Sequence, residues 1–385
     1  MDYLQTMNPN TRIPVIAPNG QTLMPTLYRR AQAWVEQGKA QWVSTDLIIK
    51  AVQLFNEPSG RFTQPISLGV DPGKLFSGVA LVSSQFTLFT AHLILPFPHV
   101  RKKMESRRIL RRARRGRRIN RKIAFHLRAH RQARFNNRRR KKVPPSILAN
   151  RRFELRVVRE LLRLFPVSQI VYERVRADVD QTSGRKGAKS GKGFSAVMVG
   201  QKWMVDQLNK LCPTVTREGW QADGNGTSQI RTHLGLVKDK TNKQAQISAT
   251  HAVDGVALAA GQFVRYEAFQ TRKEYGHHWV GMVRLTPAPF RVIARPNLFR
   301  RQLHFENFSK GAVRKRKGGT VTPFGFRSGD FVQAEKAGRV YQGWIGGFSE
   351  VNGVVSVYDH NWRRIGQFKA SKVQLIKRSS RLCVA

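Results

Sequence analysis

The sequence predicts a mixed α/β protein built from several pieces, and three observations lead to that reading. Short apolar strands follow one another between residues 66 and 95. A further apolar strand, Gln169 to Glu173, and an apolar helix, Ser248 to Phe263, each carry one acid in otherwise apolar surroundings. Between the strand groups lies a stretch of arginines whose few apolar residues recur at helical spacing.

Taken in order, residues 1–57 read as a small N-terminal α+β module. The strand Ile13-Pro14-Val15-Ile16 is followed by a turn at Pro18-Asn19-Gly20 and by helical texture from Leu27 to Gln37, closed by Gly38. After a Pro- and Gly-bearing linker, Glu57 to Pro65, the strands Ile66 to Val70, Gly78 to Val82 and Thr87 to Leu95 read as an antiparallel meander. From Arg101 to Lys142 there are 21 Lys plus Arg and one acid, Glu105, in 42 residues. Its apolar residues Ile109, Ala113, Ile119, Ile123 and Leu127 predict one or two long helices with arginine on most faces. Like charges at i and i+4 repel, so such a helix orders fully only among phosphates. Residues 147–164 predict an amphipathic helix, Ser183 to Gly193 a Gly/Lys/Ser linker, and Ala196 to Leu211 a further helix. Strand and turn texture from about 280 to 378 predicts a β-rich C-terminal domain.

The 385 residues carry 69 Lys plus Arg against 23 Asp plus Glu, a net charge of +46. Self-repulsion on that scale calls for a polyanion, and nucleic acid is the default partner. A composition 41% hydrophobic supports a real core and excludes a wholly disordered basic tail. Cys212 and Cys383 stand far apart, which excludes a disulfide framework and a four-cysteine zinc ribbon, and points to a reduced, cytoplasmic setting. The sequence offers no membrane-spanning run and no secretory leader.

Acids are scarce in this chain, so an acid at the end of an apolar strand stands out, because its desolvation is costly. Asp71 follows Ile66 to Val70, Glu173 follows Ile170-Val171-Tyr172, and Asp254 lies within Ala252-Val253-Asp254-Gly255. Carboxylates brought together repel unless divalent cations sit among them, and hard oxygen donors suit Mg²⁺ or Mn²⁺. His251, three residues before Asp254 on the same helical face, is placed to bind metal, orient water or shuttle a proton.

The order Gly69-Val70-Asp71-Pro72-Gly73, then Ile170 to Glu173, then His251 to Asp254 resembles the three split motifs of RuvC-like nucleases, whose fold is RNase H-like. The Arg-rich stretch resembles the bridge helix of RNA-guided nucleases. Asn19 to Pro25 resembles the PLMP module of transposon-encoded IscB-type proteins, with Thr22 where their first Pro would stand. The interval from Glu173 to His251 holds one histidine, His233, and no ligand set for the HNH nuclease that IscB proteins carry there. The chain therefore looks like the HNH-lacking IsrB branch. On this resemblance it divides into a PLMP-like module (1–57), RuvC segment I (58–100), bridge helix (101–143), RuvC segment II with its linker (144–195), RuvC segment III (196–275) and a C-terminal β-rich domain (276–385) that contacts a motif flanking the target.

What the resemblance implies is a magnesium-dependent, RNA-guided nickase that cuts the displaced, non-target DNA strand. Asp71, Glu173 and Asp254 would hold the metal, with His251 also catalytic. The implied partners are a long structured guide RNA and double-stranded DNA with a short flanking motif, around a monomeric protein acting at a prokaryotic nucleoid. Arg107, Arg108, Arg111, Arg112, Arg114, Arg115, Arg117, Arg118, Arg121 and Lys122 are the expected phosphate contacts, joined by Arg314 and Arg316. The competing reading is a non-catalytic RNA-binding or packaging protein on the same scaffold. Each residue also has an ordinary reading: Asp71-Pro72-Gly73 as a turn, Glu173 as an ion-pair residue, His251 as a satisfied helix histidine, the arginine run as an RNA-coating arm. The seven tryptophans are dispersed and read as core or interface residues. His277-His278 mimics a metal pair that nothing nearby completes.

Overall fold

The computed structural model describes residues 11–118, 122–127, 143–175, 195–298 and 321–385. The expected Ser183 to Gly193 linker lies outside them. The N-terminal module is a four-stranded sheet: β1 (Arg12–Ile16), β2 (Thr22–Leu27), helix α1 (Tyr28–Glu36), β3 (Ala40–Ser44) and β4 (Lys50–Leu54), in the order β2-β1-β4-β3. Ile13, Val15, Leu23, Ala31 and Val52 form its core. Gly38, at φ +66, takes the left-handed position that ends α1.

The meander follows as β5 (Ile66–Asp71), β6 (Phe76–Ser83) and β7 (Thr87–Ile94), antiparallel throughout. The arginine stretch begins as one helix, α2 (Phe97–Arg118), that starts before the charged run, then makes a short 3₁₀ turn at Phe125–Leu127. Helix α3 (Pro145–Leu162) leads to β8 (Gln169–Glu173), and α4 (Ala196–Leu208) to β9 (Thr214–Arg217). Helix α4 stops short of the expected Leu211; Leu211 and Cys212 fold their N–H groups back onto the Leu208 carbonyl, ahead of Pro213. Helix α5 (Thr227–His233) precedes a π-helical turn, Ser248–Ala252, that runs into α6 (Val253–Ala260).

A hairpin of β10 (Val264–Gln270) and β11 (Tyr275–Gly281) is followed by β12 (Phe290–Ala294). Strands β13 (Phe331–Lys336), β14 (Arg339–Ser349), β15 (Val354–Tyr358), β16 (Arg364–Lys369) and β17 (Val373–Lys377) make an antiparallel five-stranded sheet over Val332, Ile345, Val355, Val357 and Phe368. The last strand, β18 (Cys383–Val384), returns to β12. The stretch 276–385 is thus shared among three sheets: β11 pairs with β10, β12 and β18 join the central sheet, where β12 runs parallel to β7, and β13 to β17 form their own.

The central sheet has the order β18-β12-β7-β6-β5-β8-β9, with β5, β8 and β9 parallel. Helices α3 and α4 cover one face, packing Phe153, Val157, Leu161, Met204 and Leu208 on Leu68, Val70, Val79 and Leu81. Helix α6 covers the other, where Ala80 and Val82 meet Val256 and Ala259. Among the described residues, no helix is long and apolar enough to cross a membrane.

Candidate active site

Strand periodicity puts the two strand-end acids under one helix. Side chains alternate faces, so Asp71 shares the face of Gly69, and Glu173 shares that of Val171, which pairs with Gly69 in register. That face is the one α6 covers. Helix α6 comes unusually close because glycines meet it: a Cβ on Gly69 would stand 2.0 Å from the Gly255 carbonyl oxygen, and one on Gly78 would stand 1.8 Å from that of His251. Gly78 is also the partner of Asp71 in the ladder. The first turn of α6 and the π turn before it therefore sit over the carboxyl ends of β5 and β8, carrying Asp254 and His251 with them.

Glu173 and Asp71 share a hydrogen bond between their carboxyl groups. Burial pushes Glu173 up to about 9, and the nearby charges of Asp71 and Asp254 act in the same direction. Burial raises Asp71 as well, although His251 and Lys238 oppose it. At neutral pH Glu173 thus keeps its proton. Asp254 is buried, and its two oxygens are taken by Arg231 from α5 and by Lys238 from the loop after it. The Nδ1 of His251 lies 4.0 Å from Asp71 Oδ2, and its Nε2 lies 3.0 Å from the Lys243 carbonyl. A carbonyl only accepts, so Nε2 carries a hydrogen and Nδ1 is the ring nitrogen turned toward the acids.

The structure thus gathers the four residues singled out from sequence, and adds several that spacing did not indicate. Lys238 and Arg231 neutralise Asp254. His92, opposite Gly78 on β7, is buried beside His251, and burial drives it down to about 4, so it stays neutral. Beneath the Asp71-Pro72-Gly73 turn, Arg151 donates to the Gly73 carbonyl at 2.6 Å and to the Tyr172 hydroxyl at 2.6 Å, and pairs with buried Glu154 at 3.0 Å. Ser77 donates to Glu154 at 2.6 Å. The only sequence signal for this support was a charged pair on the apolar face of α3.

The protein family described as RRXRR protein matches residues 13–193. The pattern Arg-Arg-X-Arg-Arg occurs in α2 as Arg111-Arg112-Ala113-Arg114-Arg115. Among solved structures, the chain is similar to Thermus thermophilus RuvC in complex with a Holliday junction substrate, at 12% identity and TM-score 0.25, over 51% of this chain and 92% of that one. No curated protein matches the chain.

Among the described residues no three of His, Cys, Asp and Glu stand ready as a metal-binding set. The Asp71–Glu173 pair nonetheless has the donor chemistry a divalent cation requires, two partly buried carboxyls that otherwise meet through a proton. Asp254 does not fit as it stands, since Arg231 and Lys238 already occupy both its oxygens. Of the expected phosphate contacts, Arg107, Arg108, Arg111 and Arg112 lie exposed on α2, and Arg114, Arg115, Arg117 and Arg118 continue that helix. Lys122 is exposed in the turn beyond it. Arg121, Arg314 and Arg316 lie outside the described residues.

Proposed function

We propose that this protein is an RNA-guided DNA endonuclease that nicks the displaced, non-target strand. The observation that carries the reading is the meeting of Asp71 and Glu173 at the ends of adjacent parallel strands, with His251 over them. A nucleic-acid binder has no evident use for two partly buried carboxyls brought against each other. The match to the RRXRR family over the segment that contains Asp71, Glu173 and the arginine helix supports a nuclease-like scaffold.

In this reading Asp71 and Glu173 hold Mg²⁺ or Mn²⁺. Bound there, the ion supplies positive charge for a developing phosphate and makes water easier to deprotonate. The chain's own groups do the rest. Glu173 gives up its proton as the pair ionises. His251 presents Nδ1 toward Asp71, placed to take a proton from an attacking water, while the Lys243 carbonyl fixes its tautomer. Lys238 and Arg231 hold Asp254 until the nucleic acid or the ion competes for it. Guide RNA lies along α2, whose arginines contact phosphates, and base pairing with the guide selects the DNA.

The deciding experiment incubates purified protein, its copurifying RNA, supercoiled plasmid and Mg²⁺. Nicked circles are expected with the parent protein. Asp71→Ala should lower nicking by at least a hundredfold while RNA and DNA binding persist; a variant that nicks at the parental rate removes Asp71 from the site. One observation favours a second reading, an RNA-packaging protein on the same scaffold: both oxygens of Asp254 are capped by cations. Absence of any nick across a library of flanking motifs, with the RNA bound, would select it.

A further inference from the structure

The β10–β11 hairpin carries an aromatic row that the site chemistry does not use. In its register Tyr266 lies opposite Trp279 and Ala268 opposite His277, so Tyr266, Tyr275, His277 and Trp279 share one face. Their rings form a chain: His233 stacks on Trp279 at 4.0 Å and 6°, Trp279 meets Tyr266 at 5.3 Å, and Tyr266 stacks on His277 at 5.3 Å and 15°. Tyr275 extends the row and is 89% exposed. The tryptophans scattered in sequence are thus joined, at Trp279, to residues far from it along the chain.

The inner end of this row has a structural role. Trp279 packs against Ile230, Ala257 and Val264. Asn225 clamps the backbone of Tyr266, accepting from its N–H at 2.8 Å and donating to its carbonyl at 3.0 Å. A two-stranded hairpin needs such anchoring. The outer end is open: His277 and Tyr275 are exposed, in a protein that has no shortage of polar residues.

We propose that this face is a stacking platform for unpaired DNA, the strand that the site cuts; the proposal rests on the nuclease reading. Three observations choose the occupant. The row ends at His233 on α5, the helix whose Arg231 holds Asp254, so the platform leads to the acids. The acids of the hairpin, Glu267 and Glu274, lie on its opposite face and in its turn, so the hairpin itself places no carboxylate among the rings. Tyr275 and His277, two residues apart on one face of β11, stand about 7 Å apart, twice the roughly 3.4 Å spacing of bases in a duplex strand. Bases that meet them must therefore be drawn out of the helical stack, as in a displaced strand.

The test uses full-length Asp71→Ala protein, which does not cut, at about 0.5 M salt to weaken phosphate contacts. Anisotropy is read with labelled oligo-dT and with an abasic strand of the same length. The expected result is about tenfold tighter binding of oligo-dT per engaged base. Adding Tyr275→Ser and His277→Ser, both exposed, should remove that preference and leave abasic binding unchanged. Equal binding of the two strands by the parent, or an unchanged preference in the double variant, overturns the proposal. So does a preference seen with oligo-rU and not with oligo-dT, which gives the platform to RNA. Failure of the nuclease reading shows separately, as intact oligo-dT preference in a protein that never nicks DNA.

Discussion

Glu173 sits where burial and two neighbouring carboxyls all oppose its ionisation, and its proton is held to about pH 9 against a usual value of 4.5. Unfolded, it loses that proton at the lower pH. Between the two values folding takes up a proton, so the metal-free protein loses stability as pH rises through that window. Glu173→Gln copies the protonated form and keeps a donor for Asp71. In EDTA at about pH 8 the variant should melt higher than the parent, with the gap closing toward about pH 4; a variant that melts lower at every pH contradicts the shared proton. Glu154, raised to about 7 by burial although Arg151 opposes it, titrates in both proteins and cancels from the comparison. The same variant should lose nicking, because a neutral amide oxygen holds Mg²⁺ far more weakly than a carboxylate does. At this scale the acids themselves were legible, since a lone acid ending an apolar strand is unusual. Lys238 was not, because a lysine in a polar loop among 69 basic residues carries no mark of its own.

Helix α6 positions His251 and Asp254 through an approach that only glycine permits. Gly69 and Gly78 present bare backbone to it, and Gly255 returns the favour, its would-be Cβ 3.1 Å from Ala80 N. Gly78→Ala would drive a methyl group into the His251 carbonyl, and the helix start must lift. Overpacking of this kind costs about 1–3 kcal/mol. The expected outcome is a melting temperature several degrees lower and at least tenfold slower nicking with RNA binding retained, measured by calorimetry and the plasmid assay. A Gly78→Ala protein with parental activity would show that His251 need not sit there. The sequence indicated one continuous helix from Ser248; the π turn at its start, packed on Gly78, is a tertiary feature that local spacing does not announce.

Across the molecule, charge is concentrated where the fold leaves it exposed. Helix α2 faces the β15–β16 loop of the C-terminal sheet across a cleft of about 610 Å³ lined by Lys103, Arg107, Arg295 and Trp362. An RNA lying on α2 thus also comes within reach of that sheet. Loop residue Gln246 bonds to His360, at 2.8 Å, and to Asn361, both in the loop between β15 and β16 of the C-terminal sheet. The loop that brings Lys238 to Asp254 is therefore held at its far end by the domain expected to meet target DNA. Changing Arg107, Arg108, Arg111 and Arg112 to Gln should weaken RNA binding and flatten the slope of log affinity against log salt by about 3, at roughly 0.7–0.9 per lost phosphate contact. An unchanged slope would remove α2 from the RNA interface. The meander, the arginine helix and the acid-bearing strand were legible in sequence because periodicity and composition are local. The assignment of β12 and β18 to the central sheet was not, because pairing across some 200 residues to β7, and about 90 from β18 to β12, leaves no local pattern.

By itself the sequence determined which residues could do chemistry: rare acids after apolar runs, a histidine one turn before an acid, and a charge that requires polyanions. Only the tertiary structure decided that Asp71 and Glu173 share a proton, that cations already hold Asp254, and that Trp279 belongs to an aromatic row. The physical reason is that hydrophobic periodicity encodes which face of an element is buried. Which distant groups then meet, and how burial shifts their protons, depends on packing between elements.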